Sequence, residues 1–406
     1  MAKTKRAIDR DYRNYYRYDQ YGDNPMPSHG PVGIISLTGA KEFGDQVNKH
    51  LVKRRHEYLD QVSDDISNTG FLRDDYNIPA EAIRFSTGEG KGVIGRTIRG
   101  HDLFIICDVT NYSCTYKMRG LINHFSPDDH YQDLKRIILA ASGKARRINV
   151  IMPFLYEGRQ HRRNSRESLD CAYMLEDIFD LGISNFITFD AHDDRVANAV
   201  PTSSFESIPS TYQILKALIK SVPDIVINPE SMMIISPDEG AIQRSMYFAS
   251  MLGLPLGTFY KRRDYSNIVN GRNPIIAHEF LGESVEGYDV LIVDDMLSSG
   301  ESLLDLAKSL KEKGAKRIFA AVTFALFANG IDSFNEYYEK GLIDRVVATN
   351  LMYAPEEVLQ APWFISADMT KFVALLIDAI NHNASMSSLI SPTSKINKLL
   401  KKLQNK

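Results

Sequence analysis

Cysteine is scarce in this 406-residue chain: Cys107, Cys114 and Cys171 are the whole complement. Three thiols cannot build a disulfide framework, and their spacing lacks the paired ligands of a zinc site. Charge of one sign is not in excess either. Lys plus Arg number 48 against 51 for Asp plus Glu, a formal net charge of −3, which argues against the strong basic field of a general nucleic-acid binder. Long hydrophobic runs are missing too. The longest apolar stretches, such as Phe372–Ile377, fall far short of the roughly 20 residues that span a bilayer. No apolar segment of the secretory kind opens the chain. These absences exclude secreted, transmembrane and fibrous classes and point to a reducing, cytoplasmic setting with no membrane partner.

What is present is ordinary globular composition, with 44% hydrophobic and 24% charged residues. At about 150 residues per domain the length suggests two to three domains. Residues 1–30 are rich in Tyr and Arg (Tyr12, Tyr15, Tyr16, Tyr18; Arg6, Arg10, Arg13, Arg17) and are followed by Pro31. Such an arm could stack on RNA bases or serve as a flexible arm or a cap on a neighbouring subunit. The other end, Ser394–Lys406, reads as a short basic, helix-like, solvated tail.

Between the ends, short β-branched runs alternate with amphipathic stretches of helical length. The runs Val32–Ser36, Leu103–Asp108, Arg147–Met152, Asn185–Asp190, Met232–Ser236, Asp289–Val293, Arg317–Thr323 and Arg345–Thr349 are expected strands. Helical patterns occupy Ser168–Leu181, Ala241–Leu252 and Ser302–Lys313. The alternation predicts an α/β protein with parallel sheets flanked by helices, in which ligands gather at the carboxyl ends of the strands.

The sharpest chemical signal is VLIVDDMLSSGES, beginning at Val290. An apolar strand runs into Asp294 and Asp295; Ser298, Ser299 and Gly300 make a short loop, and a helix opens near Ser302 with Glu301 before it. Small residues with free backbone N–H groups at a helix start suit a phosphate monoester. Adjacent carboxylates can hold vicinal hydroxyls, directly or through Mg²⁺. Phosphate plus diol describes a ribose 5-phosphate unit. The structural alternative is a strand–helix turn with solvated acids, but a paired acid ending an apolar strand is costly unless used. Gly90, Gly92 and Gly95 spell G-x-G-x-x-G and mimic a phosphate loop, yet Arg99-Gly100 and a strand follow, so a hairpin is expected there.

Several ordered segments resemble the ribose-phosphate pyrophosphokinases (PRPP synthetases), whose phosphate loop is shared with type I phosphoribosyltransferases. Arg84–Gly92 (RFSTGEGKG) is similar to the FSDGE segment of that family, and Thr97–Ile106 follows as its SVRGCDVFII. Val150–Ser168 resembles the IPYxxYARQDRK stretch, Phe186–Val196 the DLHAxQ strand end, Ile234–Ser245 the VSPDxGGxxRA segment and Tyr260–Asp264 the DKRR motif. The resemblance implies two tandem phosphoribosyltransferase-like domains, at 31–205 (ATP side) and 206–365 (ribose 5-phosphate side), then a C-terminal helix and basic tail at 366–406. The helix Asp368–Asn381 is expected to pack back on the first domain.

The implied activity is transfer of the diphosphoryl group of ATP to the 1-hydroxyl of ribose 5-phosphate, giving PRPP and AMP for nucleotide biosynthesis. By resemblance Lys261 and Arg263 lie on a mobile catalytic loop, and His192 and Asp238 belong to the Mg²⁺ site. Arg159 and Gln160 would contact ATP, while Phe85 and Glu89, with Thr87 between them, would hold the adenine from a neighbouring subunit, a shared pocket that requires at least a dimer. Asp294, Asp295, Ser298, Ser299, Gly300, Glu301 and Ser302 would bind ribose 5-phosphate. Thr97, Arg99, Ser385 and Ser387 align with an allosteric phosphate site; an ordinary loop Thr and a surface Arg is the plain alternative. A homo-oligomer, dimer or hexamer, is implied. Thr87 stands where the family has an acid, Ser298 where its phosphate loop has a third Asp, and His161 where it has the acid of RQD. A catalytically silent regulatory relative and a salvage phosphoribosyltransferase are therefore the alternative readings.

Overall fold

The computed structural model describes residues 28–59, 71–163, 165–263 and 275–404, with Lys261–Arg263 described by their backbone alone. The Tyr/Arg-rich arm up to residue 27 and residues 60–70 lie outside the described residues, as does Asp264. The chain divides into two compact units: residues up to Ile208 together with Met369–Ser391, and Pro209–Asp368 together with the segment from Pro392.

The first unit is built on a five-stranded, fully parallel sheet of β1 (Val32–Ser36), β4 (Asp102–Ile106), β7 (Arg147–Ile151), β8 (Asn185–Phe189) and β9 (Ser204–Ile208), in that order. These strands are near-continuous apolar runs because both faces are covered. On one face α2 (Pro127–Ala141) and α3 (Asp170–Asp180) bury Leu134, Ile137, Ile138, Met174 and Leu175 against Ile35, Leu103, Ile105, Val150 and Phe186. The start of α2 is fixed by a reciprocal capping box between Ser126 and Asp129, with Pro127 at its first position. Two antiparallel hairpins stand apart from this sheet: β2 (Ala80–Arg84) with β3 (Gly90–Ile94), and β5 (Thr115–Met118) with β6 (Leu121–His124). The glycine-rich stretch is thus one arm of a hairpin, and no helix opens at it.

Helix α1 (Lys41–Leu59) packs against α9 (Thr370–Asn381), which returns to this unit from the far end of the chain. Their contact is electrostatic at its centre. The buried carboxylate of Asp378 accepts from Arg54 Nε at 2.6 Å and Arg55 Nε at 3.0 Å. Arg55 also donates to Asn381 Oδ1 (2.9 Å) and lies 4.5 Å from the centre of the Phe71 ring.

In the second unit, β10 (Met232–Ser236), β11 (Leu256–Arg263), β12 (Ile275–Leu281), β13 (Asp289–Leu297), β14 (Arg317–Ala325), β15 (Arg345–Thr349) and β16 (Phe364–Ala367) form a sheet in the order β12-β11-β10-β13-β14-β15-β16. β12 alone among them pairs antiparallel. Alternation along β13 sends Val290 and Ile292 to one face, against α6 (Glu301–Glu312) and α7 (Asp332–Glu339). Leu291 and Val293 go to the other, against α4 (Thr211–Ser221) and α5 (Ile242–Leu252). Short helices α8 (Glu356–Leu359) and α10 (Ser387–Ile390) fill the connections.

The C-terminal segment is not one piece: α9 and α10 belong to the first unit and α11 (Thr393–Gln404) to the second. The basic tail expected to be solvated is a docked helix. Ile396, Leu399, Leu400 and Leu403 recur at i, i+3, i+4 and i+7, so one face is apolar and packs on the α4 side of the core. Among the described residues, no helix is long and apolar enough to cross a membrane.

The Asp378 junction gives a stability prediction. Asp378→Ala would leave Arg55, only 1% exposed, as an unpaired buried charge. The cost expected is about 3–5 kcal/mol, read as a shift of the urea midpoint; an unchanged midpoint would show that α9 is held by apolar packing alone.

Candidate active site

The carboxyl edge of the second sheet gathers the acids. β13 is longer than the sequence suggests: its ladder with β14 continues through Asp294↔Val322 and Leu297↔Ala325. Asp294 and Asp295 therefore lie within the strand rather than after it, because the apolar run RIFAAVTFA offers a partner that far. The Asp295 N–H donates to Asp294 Oδ1 at 2.8 Å, and Arg244 Nη1 sits 3.7 Å from Asp295 Oδ1. Burial, then the negative charge of Asp295 and more weakly that of Asp238, pushes the Asp294 carboxyl well above the ordinary carboxylate range. Asp238 follows β10, and its Oδ1 accepts from the Gly240 and Ala241 N–H groups at 2.9 and 3.2 Å, turning the chain into α5.

Ser298, Ser299 and Gly300 form the turn after β13, and α6 opens at Glu301, one residue earlier than expected. The Ser298 carbonyl accepts from Ala328 N–H (2.9 Å), and Glu301 Oε1 from Asn329 Nδ2 (3.0 Å). Gly300 holds a left-handed φ of 89°, and a Cβ there would collide with the Phe334 ring. Glycine is required twice over. No side chain caps α6, so its first N–H groups face outward beside Ser298, Ser299 and exposed Ser302, the arrangement an anionic group fills.

In the first unit, the carboxyl edges of neighbouring β7 and β8 bring a second group together. Arg159 is exposed; Gln160 Nε2 donates to the Ser168 carbonyl (2.8 Å), folding the basic loop back toward α3. His192 is exposed after β8, following Asp190, whose φ is +39°. The ring of His161 lies 5.3 Å from that of His192, and its Nε2 is 3.5 Å from Asp193 Oδ2. Arg195, donating to both Asp193 oxygens, pulls that carboxyl down to about 2. The pairing of His161 with Asp193 was not visible in the sequence, where 32 positions separate them.

Phe85, Thr87 and Glu89 share the turn of the β2–β3 hairpin. Phe85 N–H donates to the Glu89 carbonyl (2.7 Å) and Thr87 Oγ1 to Glu89 Oε2 (2.9 Å), with the Phe85 ring 48% exposed. Lys261 and Arg263 are not in a loop: they end β11, opposite His278 and Ile275 of β12. The apolar run ahead of them extends the strand into the basic triplet. Thr97 and Arg99 lie on the exposed turn before β4, at the amino edge of the first sheet. Ser385 and Ser387 lie just past α9, hydrogen-bonded to each other at 3.2 Å, with Ser385 lining a small pocket beside Arg54. Nearby Asn383 reaches Arg147 at that same edge.

Comparison with known proteins agrees with this layout. Residues 32–182 match the N-terminal domain of ribose phosphate pyrophosphokinase, and residues 201–346 match the phosphoribosyl transferase domain. A ribose-phosphate pyrophosphokinase of Thermosipho africanus is 31% identical over 299 residues, covering 73% of this chain and 82% of that protein. One from Vibrio cholerae is 27% identical, covering 77% and 91%. The crystal structure of phosphoribosylpyrophosphate synthetase from Mycobacterium smegmatis superposes with a TM-score of 0.67 at 19% identity, over 87% of this chain and all of that one. The fold is that of the α/β proteins with phosphoribosyltransferase-type domains. The chain belongs to the ribose-phosphate pyrophosphokinase family.

The raised Asp294 carboxyl has a pH consequence. An acid whose folded value lies above its unfolded one costs stability when it ionises, so stability is full below the unfolded value and falls as pH rises through the folded one. Asp294→Asn is expected to flatten the decline in Tm as the pH rises above the ordinary carboxylate range, and to be the more stable form at the upper end of the profile. Parallel profiles would mean that the Asp294 charge is already compensated.

Proposed function

We propose that this protein is a ribose-phosphate diphosphokinase. The oxygen of the ribose 5-phosphate 1-hydroxyl attacks the β-phosphorus of ATP in line. A new O–P bond forms, the bond between the β-phosphorus and the oxygen bridging to the α-phosphate breaks, and AMP leaves as the hydroxyl proton is lost. The observation that carries the reading is the pair Asp294–Asp295 running into the uncapped start of α6. The helix start takes the 5-phosphate, with Ser298, Ser299, Glu301 and Ser302 around it, and the two carboxylates take the ribose hydroxyls. Arg159 and Gln160 grip the triphosphate, and Phe85 offers a ring face to the adenine beside Thr87 and Glu89. Lys261 and Arg263 neutralise charge growing on the transferred group. No protein nucleophile is needed; positioning and electrostatics suffice.

The residues present suit Mg²⁺. Acids crowded closely enough to raise the Asp294 carboxyl gain from a hard cation. No cluster of three or more His, Cys, Asp or Glu among the described residues is placed to hold a metal by itself, which fits an ion that keeps waters and bridges substrate phosphates. His192 and Asp238 are the candidate donors, and the ion would supply charge neutralisation on the triphosphate. The reading includes assembly of the chain as a homo-oligomer, dimer or hexamer, and phosphate regulation through Thr97, Arg99, Ser385 and Ser387.

The test is AMP formation from ATP and Mg²⁺ with and without ribose 5-phosphate. Release that depends on ribose 5-phosphate and drops by about 10²–10³ in Lys261→Ala, with a matching loss in His192→Ala, is the expected result. Ligand binding without AMP would favour a silent regulatory protein, and pyrophosphate-dependent exchange with a base a salvage transferase.

A further inference from the structure

The β5–β6 hairpin takes no part in either sheet, and no role assigned so far uses it. It nevertheless grips the β2–β3 hairpin at two places. At the tip, the Arg119 N–H donates to the Ser86 carbonyl (2.8 Å). Arg119 and Gly120 both hold positive φ, 51° and 82°, the two-residue turn geometry that closes a tight hairpin. Beside them Met118 covers Gly88, where a Cβ would come 2.7 Å from its sulfur. At the base, the guanidinium of Arg84 lies 5.0 Å from the Tyr116 ring and 5.2 Å from the Phe125 ring. It is ion-paired to Asp133 of α2 and sits 3.5 Å from Asp129, with its side chain 7% exposed. Arg136 Nη1 donates to the same Asp133 oxygen, Oδ1, at 2.6 Å.

We infer that the Thr115–His124 hairpin is a brace that holds the Phe85–Glu89 turn in its nucleotide-receiving shape, with Arg84 as its positioning residue. The inference rests on the reading of that turn as the adenine site. The β2–β3 strands are seated on α2, where a Cβ on Gly92 would come 2.4 Å from the Arg136 carbonyl oxygen, but the turn beyond them exposes Ser86, Thr87 and Phe85 to solvent, and a two-stranded turn without further support is marginally ordered in water. Left alone it would sample several shapes, and a ligand would bear the ordering cost on binding. A backbone hydrogen bond and a thioether contact at the tip, with a guanidinium lying against the edge-to-face Tyr116–Phe125 pair at the base, remove that freedom beforehand. Arg is suited to this place: a planar cation stacks on rings and pairs with two acids at once, which an ammonium does not. Arg84 touches no substrate in this arrangement and acts through Phe85, its neighbour.

Two variants test this. Met118→Ala loosens the tip without stranding a charge; Arg84→Gln loosens the base while leaving Asp133 paired to Arg136. Amide exchange at Phe85 and Gly88 is expected to accelerate about tenfold in each, an opening cost lower by about 1.4 kcal/mol, with exchange in β4 and β7 unchanged. KM for ATP should rise about tenfold, while KM for ribose 5-phosphate and kcat at saturating ATP stay within about twofold. Arg84→Lys should recover only part of the loss. Unchanged exchange in both variants would overturn the brace, as would faster exchange with unaltered KM for ATP. Wild type that shows the exchange effect on mutation but makes no AMP would instead sink the functional reading and leave the brace standing.

Discussion

The two edges of the second sheet treat carboxylates in opposite ways, and that asymmetry sets the character of its loops. At the amino edge of the first sheet, Asp102 stands in register with Arg147 on the next strand and accepts two bonds from it, at 2.8 and 2.6 Å. At the amino edge of the second, Asp289 stands in register with Arg317 and is held the same way, at 3.0 and 2.6 Å. Asn149 and Asn381 add further bonds to Asp102. A buried carboxylate so satisfied is a structural rivet. At the carboxyl edge of the second sheet burial, and then the adjacent charge of Asp295, instead disfavours the ionised form of Asp294. Acids perturbed in this way are characteristic of functional clefts, and Asp294 belongs to the pair that the proposed function gives to the ribose hydroxyls.

That division follows from strand direction. Parallel strands put all amino ends on one edge and all carboxyl ends on the other, and helix starts follow the carboxyl ends. Once β13 ends, the chain must turn into α6 within three residues. Gly300 makes this possible through its left-handed backbone and the room it leaves for Phe334. The same tight turn leaves the α6 N–H groups beside the buried acids. The uncapped helix start and the acidic pair are therefore one consequence of a single short connection.

The sheet strands were legible in the sequence because burial on both faces makes them continuous apolar runs: Val32–Ser36, Met232–Ser236 and Arg345–Thr349 have the observed limits. The hairpin strands and three of the four edge strands, Ser204–Ile208, Ile275–Leu281 and Phe364–Ala367, were not. Ala80–Arg84 and Thr115–Met118 are half exposed and carry Glu, Arg, Lys and Thr, so no apolar run announces them. β11 and β13 proved longer than their hydrophobic cores because pairing to a neighbour carried polar residues into the ladder. The C-terminal segment misled for a different reason. Its apolar spacing is plain in retrospect, yet five lysines in Ser394–Lys406 masked a face that packs with the second unit. For the candidate site, motif order located the residues, while contacts such as His161 to Asp193 and Arg84 against two rings depend on folding and carry no local signal.

The departures from the family pattern also become coherent once their neighbours are seen. Thr87 replaces an acid, and in the folded turn its hydroxyl donates to Glu89; a carboxylate there would face another carboxylate in the same turn. His161 replaces an acid as well, and its Nε2 faces Asp193, so the family's residue would again oppose a like charge. Like charges at such separations disfavour each other's ionised forms. At position 161 the ring therefore stands where Asp193, one residue past His192, already supplies the negative charge. At position 87 one of the turn's two acids is lost, and the hydroxyl that replaces it donates to the acid that stays, Glu89. Ser298 is different: its backbone carbonyl is anchored to Ala328 while its side chain is exposed beside the α6 N–H groups. There a hydroxyl that can donate to an anion adds to the positive end of the helix, where a third carboxylate would subtract from it.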